Sequence, residues 1–134
     1  MSDEFIEGLD PDFLKLDQLY LELEANLSFF SPRSHKIFVD VYQCMGGAGG
    51  GGLESFWSAD IPRRRMMKSF RALGENRISE LLEESKWIKK SIHTDVELTE
   101  EESSRLEDMN IELFNRFDNL QPKLIQFAES KKLL

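Results

Sequence analysis

One cysteine and two histidines are all that this 134-residue chain holds of the residues that most often carry redox or metal chemistry. With Cys44 alone no internal disulfide can form, which suits a reducing compartment. His35 and His93 stand too far apart in sequence to give a metal-ligand spacing, so no metal is expected. No apolar run approaches the roughly 18–20 residues of a membrane span. The opening residues, Met1 to Glu7, are acidic and have neither the basic-then-apolar order of a signal peptide nor the basic character of a transit peptide. A cytoplasmic protein without membrane, metal or cofactor is the expectation.

Positive charge is also scarce, with 17 Lys and Arg against 25 Asp and Glu and a formal net charge of −8. The balance is uneven along the chain. Residues 1–30 and 95–118 each carry −7, residues 33–94 carry +4, and the tail from 119 carries +2. Net negative charge disfavours nonspecific nucleic-acid and anionic-membrane binding and favours a basic protein surface, with the basic centre as a local exception.

What the chain does have is apolar periodicity. Hydrophobic residues make up 40% and charged residues 31%, with ten Phe, two Trp and two Tyr, which are globular values. Asp10-Pro11-Asp12 predicts a helix start, and Leu16, Leu19, Tyr20, Leu23, Leu27 and Phe30 continue it at helical spacing toward Ser31-Pro32. Ile37, Phe38, Val41, Tyr42 and Met45 predict a second helix. Gly46 to Gly52, six glycines in seven positions, predicts a loop, because each glycine costs a helix about 1 kcal/mol relative to alanine. Leu53, Phe56 and Trp57 resume the core. Pro62 opens a helix bearing Met66, Met67, Phe70 and Leu73, with Gly74 placed to end it in a left-handed conformation. Ile78, Leu81, Leu82 and Ile88 form another, with Lys86, Lys89 and Lys90 near its negative end. Thr99 and Glu102 form a capping-box pattern ahead of Leu106, Met109, Leu113, Phe117 and Leu120. Pro122 then interrupts, and a short last helix follows. The fold expected is all-α: one compact domain over residues 1–134, a bundle of about six or seven helices with a glycine-rich loop at 46–52 and a loosely ordered segment at 1–9.

No catalytic constellation is visible. Gly47, Gly49 and Gly52 satisfy the spacing of a dinucleotide-binding turn, but so dense a run satisfies almost any glycine motif. The second strand with its acid is replaced by Pro62-Arg63-Arg64-Arg65, and no Gly-Lys-Ser/Thr follows. Cys44, beside Tyr42 and Met45, reads as a small buried hydrophobe rather than a nucleophile. Two charged clusters remain. Arg63, Arg64, Arg65, Lys68 and Arg71 could neutralise phosphates, with Arg64, Lys68 and Arg71 on one helical face; the plainer reading pairs them with the chain's acidic ends. Glu100, Glu101, Glu107, Asp108 and Glu112 put a row of negative charge on the helix after Thr99. Arg105 stands between Glu101 and Asp108 at ion-pair spacing, as on an ordinary solvated face.

In order and spacing, Val41-Tyr42-Gln43-Cys44-Met45-Gly46-Gly47, Leu53-Glu54-Ser55-Phe56-Trp57-Ser58, Ala72-Leu73-Gly74, Leu81-Leu82-Glu83-Glu84 and Leu106 to Phe114 resemble the bacterial DNA-mimic-protein-like family over about residues 36–128. The family carries asparagines before its Gly-Gly pair and after its aromatic pair, where this chain has Met45 and Ser58, so no role of those asparagines carries over. The resemblance implies a helical domain that interacts rather than catalyses. Three functions are therefore weighed: an acidic module engaging a basic protein such as a DNA-binding protein or a toxin, alone or as a homodimer; a nucleic-acid-binding module using Arg63 to Arg71; and a small enzyme near the glycine run, Cys44 and Trp57.

Overall fold

The computed structural model describes residues 11–94 and 96–134, and these are helical with no strand among them. The elements are α1 (Pro11–Ala25), α2 (Arg33–Ser58), α3 (Arg63–Ala72), α4 (Asn76–Glu84), a 3-10 turn (Ser85–Ile88), α5 (Lys89–His93), α6 (Glu100–Asp118) and α7 (Gln121–Ser130). The all-α class expected from periodicity is the class observed. The segment 1–9 and the Asp10 cap lie outside the described residues.

Helix α1 stops at Ala25, short of the Ser31-Pro32 limit that its apolar pattern suggests. The reason is local: Ser28 Oγ accepts from the Phe30 N–H and Ser31 Oγ accepts from the Ser28 N–H, so hydroxyls replace the helical partners. Phe29 and Phe30 consequently project into solvent, 86% and 90% exposed.

The glycine run corrects the expectation of a loop at 46–52. Helix α2 continues through Gly46, Gly47, Ala48, Gly49, Gly50 and Gly51 and breaks only at Gly52, whose φ of 73° and ψ of −165° are non-helical. Packing supplies what propensity withholds. Helix α2 is the hub of the molecule, against α1, α3, α5 and α6. Phe38, Val41, Cys44 and Ala48 face the core ahead of the break and Leu53, Phe56 and Trp57 after it. A side chain at Gly49 would stand 3.7 Å from Phe117 of α6, so the bare helix face lets α6 lie close.

Two boundaries match the sequence reading in atomic detail. Gly74, at φ 88°, closes α3: the Glu75 N–H donates to Phe70 O at 2.8 Å and the Gly74 N–H to Arg71 O at 3.0 Å, the paired bonds of a Schellman ending. At the start of α6 the Glu102 N–H donates to Thr99 Oγ1 at 3.1 Å while Glu102 Oε1 accepts from the Thr99 N–H at 3.0 Å.

Candidate functional site

Helix α6 buries Leu106, Met109, Leu113 and Phe117 and turns its acids outward. The five acids singled out from the sequence divide there. Glu112 is committed within the fold: its two oxygens accept from Arg77 Nε and Nη2 at 2.8 and 2.9 Å, and Arg116 Nε adds a bond at 2.9 Å. Those bonds, led by Arg77, hold its carboxyl down at about 2. Glu102 is likewise engaged by Lys90 and by the capping box, which lower its pKa. Glu100, Glu101, Glu107 and Asp108 are exposed and make no ion pair among the described residues. Arg105 does not bridge Glu101 and Asp108 as its spacing suggested. Its guanidinium lies over the Trp87 ring, 5.5 Å from the centroid. Ile111, 53% exposed, follows Glu107 and Asp108 by one helical turn, and with Glu54, Leu106, Glu107 and Phe114 it lines a shallow depression of about 340 Å³.

The basic cluster also divides. Arg65 turns inward to the fully buried Asp40, donating from Nε and Nη2 at 2.8–3.0 Å, while Ser69 Oγ donates to the same carboxylate at 2.8 Å. That network ties α3 to α2. Arg64, Lys68 and Arg71 share a face as their spacing predicts, and with Arg63 they line a cleft of about 480 Å³ that sequence reasoning did not complete. Its far wall is Ser79, Glu83, Lys86 and Lys89, brought across by the tight α3–α4 turn at Gly74. The missing signal was tertiary: Lys86 and Lys89 read from sequence as helix-end charges. Arg63 is the fixed member. Its guanidinium donates to Phe56 O and Trp57 O at 2.8 Å and to Ala59 O at 2.5 Å, closing the carbonyl end of α2. The ion pairs that link the basic centre to the acidic end run instead through Arg77 to Glu112 and Lys90 to Glu102.

A third hollow, about 530 Å³, lies beside the glycine run, lined by Phe13, Tyr42, Met45 and Phe117 over Gly46, Gly49 and Gly50. Its polar lining comprises Tyr42, Asp17, Asp118 and Gln121; the Tyr42 hydroxyl donates to Asp17 at 3.1 Å, and burial and that bond raise the phenol pKa, so the proton stays on oxygen. Cys44 is buried beside Asp40, and burial above all pushes its thiol up to about 12. His35 sits nine positions earlier on the same helix, about 13 Å along its axis. Among the described residues no three His, Cys, Asp or Glu side chains group as metal ligands, and no helix is long and apolar enough to cross a membrane. No family model, curated protein or solved structure matches the chain.

Proposed function

We propose that the chain is a non-catalytic protein-interaction module that presents the outer face of α6 to a basic protein partner in the cytoplasm. The observation that carries this reading is the row of Glu100, Glu101, Glu107 and Asp108, which runs unpaired along α6 toward the exposed Ile111 while neighbouring Glu102 and Glu112 are engaged in ion pairs within the fold. An exposed apolar residue with acids along the helix on its N-terminal side offers burial to one side chain of a partner and attraction to its basic surround. The resemblance to the DNA-mimic-protein-like family supports the same class of partner, a DNA-binding protein or a toxin held inactive.

Such a surface acts chiefly on the association rate, since exposed charges steer encounter and are screened by salt. Affinity capture from a host lysate at low ionic strength, followed by kinetics on the recovered partner, tests it. Neutralising the four acids together as Glu100→Gln, Glu101→Gln, Glu107→Gln and Asp108→Asn is expected to slow association by about tenfold or more. Glu112→Gln, placed in an internal ion pair, is expected to leave association unchanged. A partner that binds the fourfold variant as fast as the parent, or the absence of any basic partner, would overturn the reading.

A further inference from the structure

The cleft between α3 and the α4–α5 region gathers Arg63, Arg64, Lys68, Arg71, Lys86 and Lys89 against one acid, Glu83. In a chain of net charge −8, with acids available nearby, this is not an averaged surface. The other acids of α4, Glu80 and Glu84, line a neighbouring hollow with Arg71 and Ser79, but they are already paired: Arg77 binds Glu80 at 3.3 Å and Glu84 at 3.5 Å. Arg64, Lys68, Arg71 and Lys86 make no ion pair among the described residues. Crowding like charges without counter-charge raises the free energy of the empty cleft, and an anion bound there lowers it.

Two further observations make this a built site rather than a bristling surface. The floor is rigid: Trp57 is only 4% exposed, its indole N–H donates to Ser85 Oγ at 2.8 Å, and Arg63 and Lys89 lie over its ring at 5.5 and 5.6 Å. Ser79, also 4% exposed, lines the same cleft, and its hydroxyl has no hydrogen-bond partner among the described residues. That hydroxyl opens onto the cleft rather than into the core, so it is free to donate to an acceptor bound there.

We infer that this cleft binds a compact polyphosphate anion, either a free inorganic chain or the phosphate tail of a nucleotide. Compactness follows from charge. A ligand confined to about 480 Å³ meets the cations and only Glu83, whereas an extended nucleic-acid strand would also run past the chain's acidic surfaces and be repelled. Arg64, Lys68 and Arg71 supply charge from one wall, Lys86 and Lys89 from the other, and Ser79 Oγ–H donates to a phosphoryl oxygen from below.

Titration calorimetry of the full chain with inorganic tripolyphosphate, at about 50 mM salt, is the test. One-to-one binding is expected, weakening as salt rises. Lys68→Gln with Arg71→Gln is expected to reduce affinity by about tenfold or more, whereas Lys15→Gln with Lys131→Gln, an equal change of net charge elsewhere, leaves it intact. Ser79→Ala, which alters no charge, is expected to weaken binding by about threefold, and Glu83→Gln to strengthen it. Thermal unfolding of each variant without ligand confirms that it is folded. Adenosine triphosphate in place of tripolyphosphate separates the two sources: equal affinity assigns the site to the phosphate chain alone, and higher affinity adds a contact to the nucleoside. No binding, equal loss in both double variants, or an oligonucleotide that binds without displacement by tripolyphosphate would overturn the inference.

Discussion

Gly52 and Asn110 fix the point at which the central helix breaks. At φ 73° and ψ −165° the Gly52 backbone occupies a region closed to residues with a Cβ, and a Cβ there would lie 2.9 Å from Asn110 Oδ1. The same Oδ1 accepts the Leu53 N–H at 2.9 Å, and Asn110 Nδ2 donates to Glu54 at 2.9 Å. One amide on α6 thus satisfies the donor beside the break and sets where the second part of α2, with Phe56 and Trp57, enters the core. Gly52→Ala is expected to destabilise the fold by about 3 kcal/mol in urea unfolding, the combined result of strain and collision. Asn110→Ala is expected to cost about 1–2 kcal/mol, through the buried N–H it leaves unpaired. A Gly52→Ala variant as stable as the parent would show that the chain can re-form this junction elsewhere. The two indoles make a related contrast: Trp57 Nε1 is bonded to Ser85, while Trp87 Nε1 is buried without an acceptor among the described residues, its ring covered by Arg105.

The glycine helix and the helix ends show which elements the sequence states and which it hides. Thr99 with Glu102, and Gly74 after Leu73, are legible because capping is settled within a few residues, where pattern and geometry coincide. Helix 46–51 is hidden because its cause lies elsewhere: Phe117, far along the chain, packs at Gly49, and the buried Ala48 keeps the run anchored on its inner side. The end of α1 was misplaced for the opposite reason, since apolar Leu27 and Phe30 continued a helical rhythm that the Ser28 and Ser31 hydroxyls interrupt. The helical state of the glycine run yields a direct test. Side chains added at Gly46, Gly47 or Gly50 would meet nothing within 4 Å, so Gly→Ala at each is expected to stabilise the protein by about 0.5–1 kcal/mol, as measured by urea unfolding. A loop in this place would give no gain, or a loss wherever its backbone required a left-handed residue.

On the scale of the whole molecule, charge is segregated twice: along the sequence into acidic and basic stretches, and in space into paired and unpaired groups. The first division is legible from composition. The second is not, because Glu112 meets Arg77, Glu102 meets Lys90 and Glu75 meets Lys123 only once the helices are packed. That is why Glu112 looked like part of the outer acidic row and Lys86 and Lys89 did not look like part of the basic cleft. The Arg77 cluster, reaching Glu80 and Glu84 on its own helix and Glu112 on α6, joins the two halves of this pattern and gives stability a defined pH dependence. The Glu112 carboxyl is held at about 2, below its ordinary 4.5, first by the Arg77 hydrogen bonds and then by Arg116. A folded-state pKa below the unfolded one means that the ionised form favours folding. Its contribution is complete above about pH 4.5 and is lost as pH falls through about 2. The urea midpoint of Glu112→Gln is therefore expected to lie below that of the parent by a constant gap between about pH 7 and pH 5, and the gap to close as the pH is lowered further. Both proteins retain the Lys90–Glu102 pair, whose carboxylate titrates in the same direction, so the difference between them isolates Glu112. A gap that stays constant into the acid range would assign the loss to packing at position 112 and remove the ion pair as the bond between α4 and α6.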